Sequence, residues 1–185
     1  MLRAEIKRHR FTAEEYHKMA EVGLLREDAR VELIGGEILD MSPIGWRHAE
    51  CVNRLNKILV RFVGDRYAVN VQNPIALGEE DEPQPDLALA KEDPNRRRLP
   101  GPEDVVLVVE VSDTTLAYDK NVKLPLYAGV GIPESWIVDL QGRKVEVHMN
   151  PGPGGYLSAR EVGPGEQIRA ATVEGLLLPV DDILG

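Results

Sequence analysis

Two runs of the sequence that are typical of buried strands each carry a carboxylate at one end. Asp86 opens one run within Gln84-Pro-Asp-Leu-Ala-Leu-Ala, and Glu110 follows the apolar run Val105-Val-Leu-Val-Val. A charge beside a hydrophobic core is costly unless it has a partner. Two such strands, lying side by side, can direct their oxygens at one divalent cation. The pair therefore predicts a metal-dependent site between neighbouring strands.

The composition is that of a globular protein the size of one domain. The chain has 185 residues, of which 43% are hydrophobic and 29% charged. We expect a single domain over residues 1–185, with a flexible N-terminus over residues 1–10. No stretch approaches the roughly 20 apolar residues of a membrane span, and the first residues do not form a secretory signal. We therefore expect a cytoplasmic protein with no membrane partner.

Charge and cysteine content narrow the classes of partner and site. The single cysteine, Cys51, excludes an internal disulfide framework and a multi-cysteine zinc site, and we expect it to be buried. The net charge of −9 argues against a broad basic surface that binds nucleic acid non-specifically.

Local signals predict the first half of the fold. Thr12 and Glu15 have the spacing of a capping box, which predicts a helix that ends near Gly23. The glycines of Gly35-Gly36 separate two strand-like runs and predict a hairpin with a two-residue turn. Apolar residues spaced by threes and fours predict an amphipathic helix over residues 47–63, which ends at Gly64.

Five further strands are predicted, and they are followed by a Gly- and Pro-rich region. A helix-like segment over residues 118–130 lies between the third and fourth of them, which predicts a strand-helix-strand unit with parallel strands. Pro125 predicts a kink or a late start in that helix. After Pro151 we expect a meander that closes one sheet edge with strands at residues 156–161 and 167–171. The five strands are predicted at residues 67–77, 85–90, 105–112, 135–140 and 144–149.

The chemistry that two carboxylates and one ammonium support is phosphodiester hydrolysis, which needs an activated water, an electrophilic cation and stabilisation of developing negative charge. Asp86 and Glu110 would hold Mg²⁺ or Mn²⁺, and the backbone carbonyl of Val111 could add a ligand. Lys123 would position the attacking water or help to deprotonate it. Lys120, three residues earlier on roughly the same helical face, is a direct rival for that role.

Two weaker candidates have structural alternatives. Glu32 is the polar member of an alternating strand and could point into the site or into solvent. His48 lies near the start of the long helix, where it could bind a phosphate, orient a neighbour or be an ordinary polar residue. We expect Tyr127, four residues after Lys123, to pack on the sheet.

The sequence resembles the Uma family of restriction-endonuclease-like proteins, a branch of the PD-(D/E)XK nuclease superfamily. The resemblance runs in order from residue 11 to about residue 150. Its matching segments are Phe11-Thr-Ala-Glu-Glu-Tyr, Val31-Glu-Leu-Ile-Gly-Gly-Glu-Ile, Ser42-Pro-Ile-Gly-Trp-Arg-His, Gln84-Pro-Asp-Leu-Ala, Val109-Glu-Val-Ser-Asp, Lys123-Leu-Pro-Leu-Tyr and Gly131-Ile-Pro-Glu-Ser-Trp-Ile-Val-Asp.

The resemblance implies an α/β fold with a restriction-endonuclease-like core, a central mixed sheet flanked by helices. It also implies that Asp86 and Glu110 are the acidic ligands and that the adjacent helix supplies Lys123. The superfamily pattern places a lysine two residues after the glutamate, where this chain has Ser112. Activity therefore requires that the displaced ammonium reach the same point in space.

Three functions follow from these observations. The first is a Mg²⁺-dependent endonuclease acting on DNA, which the family resemblance also suggests to be a homodimer. The second is a catalytically weak or inactive nucleic-acid-binding or regulatory module of the same fold. The third is a phosphodiesterase acting on RNA or small nucleotides. No separate groove-reading element accompanies the core, which predicts weak sequence specificity.

Overall fold

A six-stranded mixed sheet forms the centre of the molecule. The computed structural model describes residues 8–26 and 28–185, so residues 1–7 of the predicted flexible N-terminus lie outside the described residues. The strands of this sheet are ordered β3-β4-β5-β6-β7-β8, and β5 and β6 are its parallel pair. The helices and strands, in chain order, are α1 Ala13–Glu21, β1 Val31–Ile34, β2 Glu37–Asp40, α2 Trp46–Val63, β3 Tyr67–Val71, β4 Leu87–Lys91, β5 Val105–Ser112, α3 Leu116–Tyr118, α4 Leu124–Gly129, β6 Glu134–Asp139, β7 Lys144–Gly152, β8 Gly155–Val162, β9 Gln167–Arg169, β10 Leu177–Pro179 and α5 Val180–Leu184.

The local signals of the first half are confirmed. Thr12 caps α1, and its side chain and that of Glu15 form the reciprocal capping box. β1 and β2 form an antiparallel hairpin whose turn places Gly35 and Gly36 at φ 56° and 71°. Both values lie in the left-handed region that glycine tolerates at no steric cost. Gly64, at φ 54°, ends α2 as predicted.

The predicted strand-helix-strand unit is present, with an irregular helix between its parallel strands. α3 continues into one π turn over Asp119–Lys123, in which the Leu124 amide donates to the Asp119 carbonyl five residues back, and α4 follows. A proline has no amide hydrogen and disturbs the regular α-helical pattern. The wider turn directly precedes Pro125, so the helix accommodates the proline without breaking.

The sheet is covered by helices on both faces. Along β5, Leu107, Val109 and Val111 belong to the larger hydrophobic cluster, which includes the buried face of α2. Val108 belongs to the second cluster with Tyr127 of α4. Because side chains alternate along a strand, Glu110 lies on the same face as Val108, beneath the helical segment 116–129. This alternation places a carboxylate between the sheet and that segment.

Two strand predictions are wrong, one in the length of the strand and the other in its pairing. The strand predicted over residues 67–77 ends at Val71, because Gln72 has φ 50° and turns the chain out of the sheet. The meander predicted after Pro151 closes the edge only through β8. β9 leaves the sheet and pairs with β10 in a separate two-stranded sheet.

Within the part of the chain that the structure describes, no helix has both the length and the apolar character needed to cross a membrane.

Candidate active site

A pocket of about 620 Å³ opens where β4 begins and β5 ends. The β1–β2 hairpin, the start of α2 and the helical segment 116–129 form its other walls. Six carboxylate side chains line it, against two permanently cationic ones, Arg30 and Lys123. The six are Glu32, Asp40, Asp86, Glu110, Asp113 and Asp119. The excess of negative charge favours a bound cation.

Glu110 occupies the floor of the pocket and is only 3% exposed. The Tyr127 hydroxyl donates to Glu110 Oε1 at 2.5 Å, and Lys123 Nζ lies 3.2 Å from the same oxygen. The amide of Asp86 donates to Glu110 Oε2 at 3.4 Å. Burial raises the pKa of Glu110 to about 8, opposed by the Lys123 ammonium and assisted by Asp119 and Asp86.

Lys123 enters the pocket from the end of the π turn and is 4% exposed. Its ammonium contacts Glu110 and lies 3.4 Å from Glu32 Oε2, and it donates to the Gln84 carbonyl at 3.4 Å. Burial alone would lower the pKa of Lys123, but Glu110 and Glu32 outweigh it and raise the pKa above its ordinary value. The amine is therefore protonated near neutral pH.

Asp86 lies directly before β4, and three donors hold its carboxylate. His48 Nε2 and the Val111 amide each lie 2.9 Å from Asp86 Oδ2, and Gln72 donates to Oδ1 at 3.1 Å. Burial opposes ionisation, but these partners outweigh it and lower the pKa of Asp86. The contact with His48 brings that residue, a weaker prediction from the sequence, into the same pocket.

Glu32, the other weaker candidate, points into the pocket rather than into solvent. It is buried, and it accepts hydrogen bonds from the Tyr118 hydroxyl at 2.9 Å and the Gln84 amide at 3.1 Å. The Tyr118 bond and the contact with Lys123 tie the β1–β2 hairpin to the helical segment 116–129, and the Gln84 bond ties it to the segment before β4.

Lys120, the rival candidate for the site lysine, lies outside the pocket. Its ammonium donates to Glu146 on β7 at 2.8 Å, and Lys120 does not line the pocket. Ser112, the residue at the position where the superfamily pattern has lysine, donates to Asp119 Oδ2 at 2.7 Å, and Thr115 donates to the same oxygen at 2.7 Å. These bonds anchor the π turn that carries Lys123 to the pocket.

The donor set fits a hard divalent cation bound largely through water. Within residues 8–26 and 28–185, no group of three or more His, Cys, Asp or Glu side chains is arranged to hold a metal ion. Mg²⁺ is commonly bound by one or two carboxylates, with water and substrate phosphate completing its coordination. Asp86 and Glu110 supply that number, and Val111 also lines the pocket.

The sequence comparison identifies the family. The profile of the Uma2 family, described as "Putative restriction endonuclease", matches residues 13–181. The chain belongs to the Uma2 family. A search of curated proteins gives no match.

This Uma2 protein shares its fold with a solved structure. The structure is that of a protein from Anabaena variabilis described as a putative nuclease belonging to DUF820. It matches with a TM-score of 0.72 and 14% sequence identity over 94% of this chain and 97% of the other. The restriction-endonuclease-like α/β fold expected from the sequence resemblance is thereby confirmed.

Three residues of this Uma2 protein that donate hydrogen bonds to carboxylates of the pocket were not predicted as part of the site. Tyr127 packs on the sheet as expected, but its hydroxyl also reaches Glu110. Its spacing of four from Lys123 was the available signal, since residues four apart share a helix face. Gln72 and Tyr118 gave no comparable signal, because each reaches its carboxylate from a distant part of the sequence.

Proposed function

We propose that this protein is a metal-dependent endonuclease that hydrolyses phosphodiester bonds of DNA. The observation that carries the proposal is the convergence of Asp86, Glu110 and the buried Lys123 ammonium in one negatively charged pocket. Phosphate would be repelled from such a pocket unless a cation lay between them. The family's description supports nuclease activity, and the match over residues 13–181 supports one nuclease domain.

Asp86 and Glu110 are proposed to bind Mg²⁺ or Mn²⁺, with the Val111 carbonyl as a further ligand. When bound, the cation would polarise a phosphoryl oxygen and lower the pKa of a bound water. Lys123 is proposed to offer its ammonium as a hydrogen-bond donor and a counter-charge for the phosphoryl oxygens, and to position the attacking water. Glu32 holds that ammonium in place.

His48 and Tyr127 are proposed to position the two ligands. His48 bonds Asp86 Oδ2, and Tyr127 bonds Glu110 Oε1. Each therefore restrains one carboxylate, and the oxygen that each leaves less restrained is available to a cation. A homodimer that presents two pockets to the two strands of a duplex stays a prediction.

The test is cleavage of supercoiled plasmid by the wild-type protein and by Asp86→Ala, with Mg²⁺, with Mn²⁺ and with a chelator. Asp65→Ala, which removes an exposed carboxylate after α2, is the matched control. We expect metal-dependent cutting by the wild type and the control and none by Asp86→Ala, with all three folded by circular dichroism.

Parallel reactions with single-stranded DNA, RNA and cyclic nucleotides separate the alternatives. Cutting of RNA or cyclic nucleotides alone would replace DNA as the substrate. A folded wild-type protein that cuts none of these substrates would contradict the proposal and favour the inactive binding module. A ladder of discrete plasmid fragments would contradict the predicted weak sequence specificity.

A further inference from the structure

The solvent face of α2 is basic, although the whole chain carries a net charge of −9. Its other face is buried in the larger hydrophobic cluster. Arg47, Arg54, Lys57 and Arg61 follow one another at intervals of seven, three and four residues. Such intervals place all four on one side of a helix. The face therefore carries a row of positive charge, which Glu50 interrupts between Arg47 and Arg54.

This row is continuous with the pocket of the candidate active site. Arg47 lies 3.4 Å from Asp113, which lines that pocket. On the far side of Arg47, a second depression is lined by Arg47, Arg54 and Arg143. A third depression shares Arg54 with the second and adds Lys57 and Arg61. The pocket and the two depressions therefore follow one another along α2, from its first turn to its last.

Much of this charge is available to a partner. Lys57, Arg61 and Arg143 are exposed, and the ion pairs among residues 8–26 and 28–185 include none of the three. Arg54 is held by the Ile183 and Leu184 carbonyls, which do not neutralise it, and by Glu50 at 3.3 Å.

The acidic side chains in the second and third depressions offset only part of the positive charge. Five basic groups and three side-chain carboxylates, Glu50, Asp181 and Asp182, line these two depressions. Two of the five basic groups are paired, Arg47 with Asp113 and Arg54 with Glu50.

The length and charge of the row suit duplex DNA. From Arg47 to Arg61, α2 rises about 21 Å at 1.5 Å per residue, which corresponds to about six base pairs at 3.4 Å of axial rise each. The two strands of a duplex together carry one charge per about 1.7 Å of axis, a higher density than a single strand, which favours a duplex as the partner of a rigid row of positive charge. Trp46, the first residue of α2, is 75% exposed beside the pocket, where an aromatic ring can contact bases or sugars.

We infer that the α2 face from Arg47 to Arg61, extended by Arg143, is the track on which duplex DNA lies as it reaches the pocket. The inference rests on the proposed nuclease function and names the part of the surface that holds the substrate. Lys57 and Arg61 bind phosphates remote from the scissile bond. They therefore contribute to affinity and to its dependence on salt, without contact with the reacting atoms.

The test is the binding of a fluorescein-labelled DNA duplex of about three helical turns, measured by anisotropy over a salt series with chelator present. The chelator prevents cleavage, so binding is measured independently of catalysis. Lys57→Ala/Arg61→Ala is compared with Arg97→Ala/Arg160→Ala. The control pair removes the same charge from the β4–β5 loop and the edge strand β8, where both side chains are exposed.

We expect the Lys57→Ala/Arg61→Ala variant to bind about tenfold more weakly near 0.1 M salt, with a salt slope lower by about two phosphate contacts. The control should bind as the wild type does. Equal weakening of both variants, no duplex binding by the wild type, or an effect confined to labelled single strands or RNA would each overturn the inference.

Cleavage assays on the same proteins separate this inference from the proposed function. If the wild type cuts DNA in a metal-dependent way and Lys57→Ala/Arg61→Ala loses no affinity, the proposed nuclease function stands and the inferred DNA track is wrong. If the wild type binds duplex but never cuts it, and Lys57→Ala/Arg61→Ala alone loses that binding, the DNA track stands and the proposed nuclease function is wrong.

Discussion

Glu110 and Glu134 are both buried glutamates on neighbouring strands of one sheet, but their surroundings are opposite. Glu134, fully buried on β6, accepts four hydrogen bonds at 2.7–2.9 Å from Trp136 Nε1, the Ala171 amide, and the amide and hydroxyl of Thr172. Glu110 on β5 shares a single ammonium with Glu32 and lies among further carboxylates.

The contrast separates a carboxylate whose hydrogen bonds are satisfied within the fold from one that we propose to bind a ligand. Around Glu134, donors surround the charge completely, and the side chain joins the segment after β9 to the sheet. Around Glu110, negative charge is in excess, and the protein keeps an arrangement that costs stability. A cation would remove that excess, so the arrangement suits ligand binding better than folding.

The largest effect expected is on cleavage. Glu110→Gln keeps the shape of the side chain but removes a metal ligand, so we expect DNA cleavage to fall about a thousandfold, or about 4 kcal/mol in the barrier. Because burial raises the pKa of Glu110 to about 8, the folded protein already favours a neutral side chain there, so the free energy of unfolding near pH 7 should change by only about 1 kcal/mol or less. Plasmid cleavage rates and urea unfolding measure both quantities. Cleavage by Glu110→Gln at the wild-type rate would contradict the proposed role of Glu110.

Lys123 and Lys120 provide a matched pair three residues apart. We expect Lys123→Met to lower the cleavage rate about a hundredfold, because the counter-charge for the phosphoryl oxygens is lost. Lys120→Met removes only a half-exposed contact to Glu146 and should stay within about threefold of the wild type. Single-turnover rates decide between them, and equal losses in the two variants would argue against a special role for Lys123.

Glu134 should affect stability instead of chemistry. Glu134→Gln replaces one carboxylate oxygen by an NH₂ group. That group would face either the indole N–H of Trp136 or the three donors of Ala171 and Thr172, and donors repel one another. We therefore expect the free energy of unfolding to fall by about 2–4 kcal/mol. The folded protein should still cleave within a fewfold of the wild-type rate. Chemical denaturation followed by circular dichroism provides the measurement. A Glu134→Gln variant that is as stable as the wild type but inactive would contradict the structural role assigned to Glu134.

Tyr127 should have a smaller effect on cleavage than Glu110 or Lys123. Tyr127→Phe removes the hydrogen bond to Glu110 while the ring continues to pack, so we expect about a tenfold lower cleavage rate. The loss should appear in kcat with KM nearly unchanged, because the hydroxyl restrains a metal ligand and does not bind DNA. A change in KM alone would instead place Tyr127 in substrate binding.

The fold was predictable wherever the signal was local. The capping box at Thr12, the Gly35-Gly36 turn and the amphipathic α2 depend on residues close in sequence, and all three are confirmed. β9 was assigned wrongly to the sheet edge, because its pairing with β10 depends on tertiary packing that a three-residue strand does not encode.

The acidic residues and the lysine of the proposed site could be named from the sequence, but their hydrogen-bond partners could not. Asp86 and Glu110 could be named from the strands they adjoin, but Glu134 begins an equally buried strand, and its local sequence does not reveal that it is a structural carboxylate. Its donors at Ala171 and Thr172 come from 37 and 38 residues away. The choice between Lys123 and Lys120 was also open, because the π turn changes the direction of side chains that a regular helix would place together.

The most direct test of the central claim is calorimetric titration of Mn²⁺ into the wild-type protein and Glu110→Gln, with Asp65→Ala as the control. If the carboxylates of the pocket are arranged for a cation, the wild type and the control bind Mn²⁺, and Glu110→Gln binds it at least about tenfold more weakly. Equal Mn²⁺ binding by the wild type and a folded Glu110→Gln variant, or no binding by either, would contradict it.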